Sequence, residues 1–225
     1  KAFRTSDTAK GRGYCEEALS YSRRFKHAKM EVLVLTALGY LASVRNESEQ
    51  ALGFYRNALA IAHEHKFIDR LAFIYNLTGV LLDKQDQYED ALNDYYRSVK
   101  YSREAGMTYD EVVALTNIGL LFNHIGNYEE AINVLNEVLA ISRKQDLAPA
   151  ILASTYVNLG LSHDGEKDFG NAVNSYRKVI EICEDENATC SPDNLIDAHL
   201  GLGMAYYNQG VPDPSEKFIK KAIEL

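Results

Sequence analysis

Proline and cysteine are both scarce in this chain, four and three among 225 residues, and no alternation of apolar and polar residues is sustained between turn signals. The first scarcity leaves long stretches free to run as helix, and the second supplies too few bridges for a disulfide-built scaffold. No apolar run is long enough to span a bilayer: the longest, "VLVLTALGYLASV" from Val32 to Val44, falls short of the roughly 20 residues required. It reads as a buried helix. Surplus basic charge is missing too. The formal net charge is −8, whereas non-specific nucleic-acid surfaces and anionic-membrane surfaces need clustered Lys and Arg. No nucleic-acid partner and no membrane insertion are expected.

Apolar residues instead recur at three- and four-residue spacing almost throughout, which predicts an all-α chain. With 46% hydrophobic residues it can bury a sizeable core. It begins at Lys1 without a methionine and stops at Leu225 inside the helical pattern "SEKFIKKAIEL", so a fragment of a larger protein is expected.

The stretch "NIGLLFNHIGNYEEA", residues 117–131, places Gly119 in the middle of an apolar helix pattern. Glycine there costs roughly 1 kcal/mol relative to alanine, so its small size must serve a purpose. Gly39, Gly79, Gly119, Gly160 and Gly203 lie 40, 40, 41 and 43 residues apart. Twelve residues after each come Ala51, Ala91, Ala131, Ala172 and Ser215, and four further on come Tyr55, Tyr95, Leu135, Tyr176 and Ile219. Small against large at fixed spacing predicts a close helix crossing.

On these residues the chain resembles the tetratricopeptide repeat family, through "ALGFY", "GVLLDKQDQYEDALNDYY", "IGLLFNHIGNYEEAINVL" and "NLGLSHDGEKDFGNAVNSY". The family's period is about 34 residues and the period here is about 40, with the extra length across the junctions between hairpins. Such long-helix arrays resemble those of kinesin light chains, spindle-orientation adaptors and many bacterial signalling proteins. The resemblance implies a right-handed α-solenoid, a superhelix of helix hairpins whose first helices line the concave side. Residues 1–225 then form one domain: a truncated leading repeat at 1–28, with one helix at about 6–27, and repeats at 29–68, 69–108, 109–147, 148–190 and 191–225.

Helix ends fit this reading. In "HIGNYEEA", Gly126 suits a left-handed position, Asn127 an N-cap, and Glu130 a capping box. "TYDE" (Thr108–Glu111), "SPDN" (Ser191–Asn194) and "DPSE" (Asp213–Glu216) give further starts, the last two with proline at the first helical position. Core positions are expected at Tyr55, Tyr75, Tyr88, Tyr95, Tyr128, Tyr156, Phe169 and Tyr176.

Little in the sequence points to catalysis. "GLGMAYYNQG" begins like a dinucleotide fingerprint, but Tyr206 stands where the third glycine belongs. His63 and His65 are two residues apart, a spacing that splays them around a helix, so no metal site is expected. His124 and His163 read as surface or turn residues without a nucleophile to serve. Cys15 reads as a buried free thiol. Asn46, Asn76 and Asn187 begin glycosylation sequons that carry meaning only in a eukaryotic secretory setting. Cys183 and Cys190 are seven residues apart across a junction and are a candidate disulfide; pairing would favour a periplasmic sensor, unpaired thiols a cytoplasmic chain. No enzyme activity and no cofactor are expected.

The resemblance implies instead that function lies on the first helices. The expected groove residues are Tyr40, Asn76, Asn117, Leu120, Asn123, His124, Asn158, Leu161, Asp164, Met204 and Tyr207. Peptide-binding members of the family often carry asparagine at such positions, where its amide can pair with the backbone of an extended ligand, although asparagines there can equally bridge neighbouring helices. The Lys, Asn and Arg constellation of a chaperone-tail clamp is missing. The reading is a non-enzymatic scaffold for a protein or peptide segment, resembling the sensor or regulatory arrays of diguanylate cyclases or histidine kinases. Its alternatives are the regulatory array of a quorum-sensing phosphatase-type protein, and a structural module that dimerises through its truncated ends.

Overall fold

A computed structural model describes residues 2–145, 147–185 and 189–225. Among them there are eleven helices and no strand. They are α1 (Ala2–Arg24), α2 (Ala28–Val44), α3 (Ser48–Glu64), α4 (Ile68–Asp83), α5 (Tyr88–Ala105), α6 (Thr108–His124), α7 (Tyr128–Ser142), α8 (Pro149–Gly165), α9 (Phe169–Cys183), α10 (Pro192–Asn208) and α11 (Pro212–Glu224). The sequon at Asn187 lies outside the described residues.

Eight turns between successive helices close in the same way. A residue in the left-handed region ends the helix, and the next N–H donates to the carbonyl five residues back: His27 to Ser22, Glu47 to Ala42, Phe67 to Ala62, Gln87 to Leu82, Met107 to Ser102, Asn127 to Phe122, Asp168 to His163 and Val211 to Tyr206, at 2.8–3.0 Å. This is the Schellman closure, which satisfies carbonyls that the helix leaves over. Gly126 takes the left-handed position at φ 77°, as its sequence context predicted, but at Lys26, Asn46, Lys66, Asp86 and Lys167 a side chain occupies it.

Three expected helix ends differ in the structure. Asn127 is the N-cap of α7 at ψ 69°, yet its side chain makes no capping hydrogen bond and the expected capping box with Glu130 does not form, whereas Asp168, in the same closure at ψ 67°, accepts from the Asn171 N–H and caps α9. α11 starts at Pro212 behind Val211, not at Asp213, since the Val211 N–H is drawn back to Tyr206. α1 ends at Arg24, with Lys26 and His27 forming the turn. Ser191 does cap α10, its Oγ accepting from the Asp193 N–H at ψ 139° with Pro192 in the first turn.

Compact packing divides the chain into Lys1–Ala114 and Leu115–Leu225. In the first unit α2 packs on α3, α3 on α4 and α4 on α5, and α1 covers α2. Val32, Leu35, Leu52, Tyr55, Leu71 and Ile74 fill its core. In the second unit α8 packs on α9, α9 on α10 and α10 on α11, with α7 against α8, around Val157, Tyr176, Val179 and Leu202. Tyr55, Tyr75, Tyr95 and Tyr176 are buried as expected, whereas Tyr88, Tyr128 and Phe169, each the first residue of its helix, and Tyr156, in the middle of α8, are half-buried.

The repeated glycines act by absence. A Cβ on Gly79 would lie 2.6 Å from the Tyr95 ring, and one on Gly119 would lie 2.7 Å from Leu135. Gly39 meets Tyr55, Gly160 meets Tyr176 and Gly203 meets Ile219 in the same way. Each is the small-to-large pair that the sequence spacing predicted, and each closes the crossing of one helix pair.

Candidate functional site

The glycine-bearing helices α2, α4, α6, α8 and α10 turn their glycines inward, so the residue after each glycine points away from the partner helix. In the first unit Tyr40 follows Gly39 and is 56% exposed. Leu33 and Phe73, each six residues before a glycine, are exposed beside it. Together with Thr36, Ala37, Arg70 and Leu77 these three line a hollow of about 340 Å³ between α2 and α4. Arg70 is held at its rim by Asp69, Nε to Oδ2 at 3.0 Å. Asn76, one of the expected groove residues, is half-buried on α4. The sequence reading missed Leu33, Phe73 and Arg70, although the first two stand at one fixed offset from their glycines.

In the second unit Leu120 and Leu161 follow Gly119 and Gly160 and are 47% and 46% exposed; Met204 follows Gly203 and is 54% exposed. Tyr207 and His124 are exposed and Asn117 is half-buried. The polar residues expected beside them are committed to the fold. Asn123 Nδ2 donates to the Asn158 carbonyl at 2.9 Å and its Oδ1 accepts from Ser162 Oγ at 2.7 Å, which ties α6 to α8. Asn158 is buried, 7% exposed, which fits the helix-bridging alternative better than a water-facing amide. Asp164 accepts a hydrogen bond from the Tyr176 hydroxyl at 3.0 Å.

Tyr176 fills the notch of Gly160 on α8 and lies equally close to Gly201 on α10. Burial, then the Asp164 carboxylate, push its hydroxyl far above the ordinary range for tyrosine. Burial likewise raises the Asp164 carboxyl, whose Oδ1 has no hydrogen-bond partner. Asp197, on α10, is raised by burial and then by its neighbour Asp193. Tyr55, buried above Gly39, is pushed up to about 12 by burial.

The remaining candidates have structural surroundings. His63 Nε2 lies 2.8 Å from the Tyr75 hydroxyl, and His65 stacks on Phe67. His163 Nδ1 lies 4.0 Å from Asp168, and burial lowers its pKa. Cys15 is half-buried rather than buried, since α1 is covered on one side only. Cys183 and Cys190 are bonded, with Cα atoms 5.4 Å apart, and close the junction between α9 and α10. Among the described residues no group of three or more His, Cys, Asp or Glu could hold a metal ion, and no helix is long and apolar enough to cross a membrane.

With this geometry in view, the family model described as tetratricopeptide repeat matches residues 69–144 and 110–185, just over half of the chain. The chain belongs to the tetratricopeptide repeat family. A model described as anaphase-promoting complex subunit 5 also matches residues 16–85. No curated protein matches the sequence. Among solved structures, BtubC from P. vanneervenii is similar at a TM-score of 0.82 and 22% identity, over 96% of this chain and 90% of that one. RapI in its apo form is similar at 0.75 and 16%, over 99% and 70%. The quorum sensor NprR from B. thuringiensis, also in its apo form, is similar at 0.72 and 15%, over 98% and 62%. At such identities the likeness is one of tetratricopeptide fold.

Proposed function

We propose that this tetratricopeptide repeat chain is a non-enzymatic scaffold that binds a protein or peptide segment on the exposed faces of its first helices. One observation carries the reading: Tyr40, Leu120, Leu161 and Met204, each directly after a glycine that is sealed against its partner helix, are 46–56% exposed and contribute nothing to the core. Val80, after Gly79, is half-buried, but in the other four repeats a large apolar side chain held in water at this position gains only when something covers it. Asn76 and Asn117, with His124 and Tyr207, are the polar and aromatic groups beside these anchors. Asn123, Asn158 and Asp164 serve by holding the face in shape.

In its finer form the reading makes these repeats the sensor or regulatory part of a bacterial signalling protein, such as a diguanylate cyclase or histidine kinase. Likeness of fold to the quorum sensor NprR over nearly the whole chain supports a ligand-responsive array, and it equally favours the regulatory array of a quorum-sensing phosphatase-type protein.

The test pans displayed random peptides against the chain and titrates the strongest binder against wild type and a Tyr40→Ser, Leu120→Ser, Leu161→Ser, Met204→Ser variant. Exposed substitutions leave stability within about 0.5 kcal/mol each. Affinity should fall at least tenfold with the urea midpoint nearly kept. Equal affinity for both proteins would move binding off these faces.

A further inference from the structure

Charge is divided unevenly along the chain. Residues 1–114 hold 16 Lys and Arg against 16 Asp and Glu, and residues 115–225 hold 8 against 16, so the whole net charge of −8 belongs to the second unit. Within that unit the part of α6 it includes, α8 and α10 contain no Lys or Arg; its basic residues lie on α9, on α11 and around the turns. Arg177 is directed to the Tyr206 hydroxyl, Lys178 to Glu181, Lys220 to Glu216 and Lys221 to Glu184.

The neighbouring helices α8 and α10 present what remains. On α10, Asp197, Leu200, Met204 and Tyr207 follow one another at spacings of three, four and three residues, which sets them on one face, and all four are exposed. On α8, Leu161 and Asp164 are three residues apart, with Leu161 exposed. Asp193 lies one turn before Asp197 and is exposed. Among the described residues no Lys or Arg pairs with Asp164 or Asp197. Apolar anchors and uncompensated carboxylates therefore share one surface.

We infer that the α8–α10 face docks a basic peptide segment, one that brings apolar side chains to Leu161, Leu200 and Met204 and Lys or Arg to Asp193 and Asp197. This deepens the scaffold reading and rests on it. Charge complementarity selects the occupant: an acidic segment would meet carboxylates without a single cation, and a neutral one would leave them unpaired.

The experiment titrates the full chain with three labelled peptides of equal length and identical leucine positions, carrying Lys, Glu or Gln between them. The Lys peptide should bind most tightly and lose affinity as salt rises from 50 to 300 mM, because exposed pairs are screened. Asp193→Asn with Asp197→Asn should weaken it about two- to thirtyfold, for two exposed ion pairs. Glu129→Gln with Glu130→Gln, an equal charge change on α7, should leave it unchanged. If both double variants weaken the Lys peptide equally, attraction is to net charge and the assigned face is wrong. If the Gln or Glu peptide binds as well as the Lys peptide and Met204→Ser weakens it, the scaffold stands and the basic preference fails. Binding of none of the three overturns the inference, while an unrelated peptide that still binds and is weakened by Met204→Ser keeps the scaffold reading.

Discussion

The ring of Tyr176 occupies the space that a Cβ on Gly160 would need. Tyr176 is 1% exposed and its hydroxyl is anchored on Asp164, so the ring has little freedom to retreat. A methyl group added at Gly160 must push the two helices apart.

Gly160→Ala should therefore lower the urea midpoint. Overpacking costs about 1–3 kcal/mol, against roughly 1 kcal/mol gained in helix propensity. In a Tyr176→Val background the same alanine should cost less, and a double-mutant cycle measures the difference, expected at about 0.5–3 kcal/mol for residues in contact. Additive effects would mean that the crossing is set elsewhere.

The bond between Cys183 and Cys190 predicts a thiol count of one on unreduced, denatured protein, from Cys15, and three after reduction. Closing so short a loop restrains the unfolded chain by about 2 kcal/mol. Reduction should then lower the urea midpoint of wild type and leave a Cys183→Ser, Cys190→Ser variant unmoved. Three thiols before reduction would remove the case for a periplasmic sensor.

Acidification should destabilise the fold through buried imidazoles. His199 is 2% exposed, stacks on Phe218, and has no hydrogen-bond partner at Nδ1. Burial, then Lys221, hold its pKa below the ordinary 6.5, against a weaker opposing pull from Glu184. The unfolded chain thus takes up a proton that the folded chain refuses, so stability is full above about pH 6.5 and falls as pH drops below it. His163 acts in the same direction. Urea midpoints from pH 7.5 to 5.5 should fall more steeply in wild type than in His199→Leu; parallel slopes would clear His199. The raised carboxyls of Asp94, Asp110, Asp164 and Asp197 oppose this at lower pH and are common to both proteins.

Helix class, the glycine crossings and their large partners were legible because each depends on residues within one hairpin, at a spacing the chain repeats. The polar members of the candidate face were harder to read, because their role depends on the next helix pair. Where Tyr95 and Tyr176 bring a phenol to the crossing, Leu135 brings none, and Asn123 is left to reach across to Asn158 and Ser162. Asn158 is buried by such contact, which its own position in α8 does not announce. Asp193 and Asp197 passed unnoticed because their meaning lies in the cations that α8 and α10 lack. Turn residues misled as well: Asn127 has the chemistry of a cap, yet of Asn127 and Asp168, which end the same kind of turn, only Asp168 accepts a capping N–H.

Tyr176 also belongs to two hairpins at once. It rises from α9 into the notch of Gly160 on α8, and Gly201 on α10 lies against the same ring. Drawing α10 away uncovers the phenol and exposes the Asp164 hydrogen bond to water, so the separation loses packing on both helices together. In a repeat array, where stability is otherwise a sum of each unit and its nearest neighbours, such a shared residue strengthens the neighbour contribution at one boundary. Helices α8, α9 and α10 should therefore open as one cooperative block, with amides that exchange with solvent at a common rate under native-state hydrogen exchange rather than fraying one helix at a time.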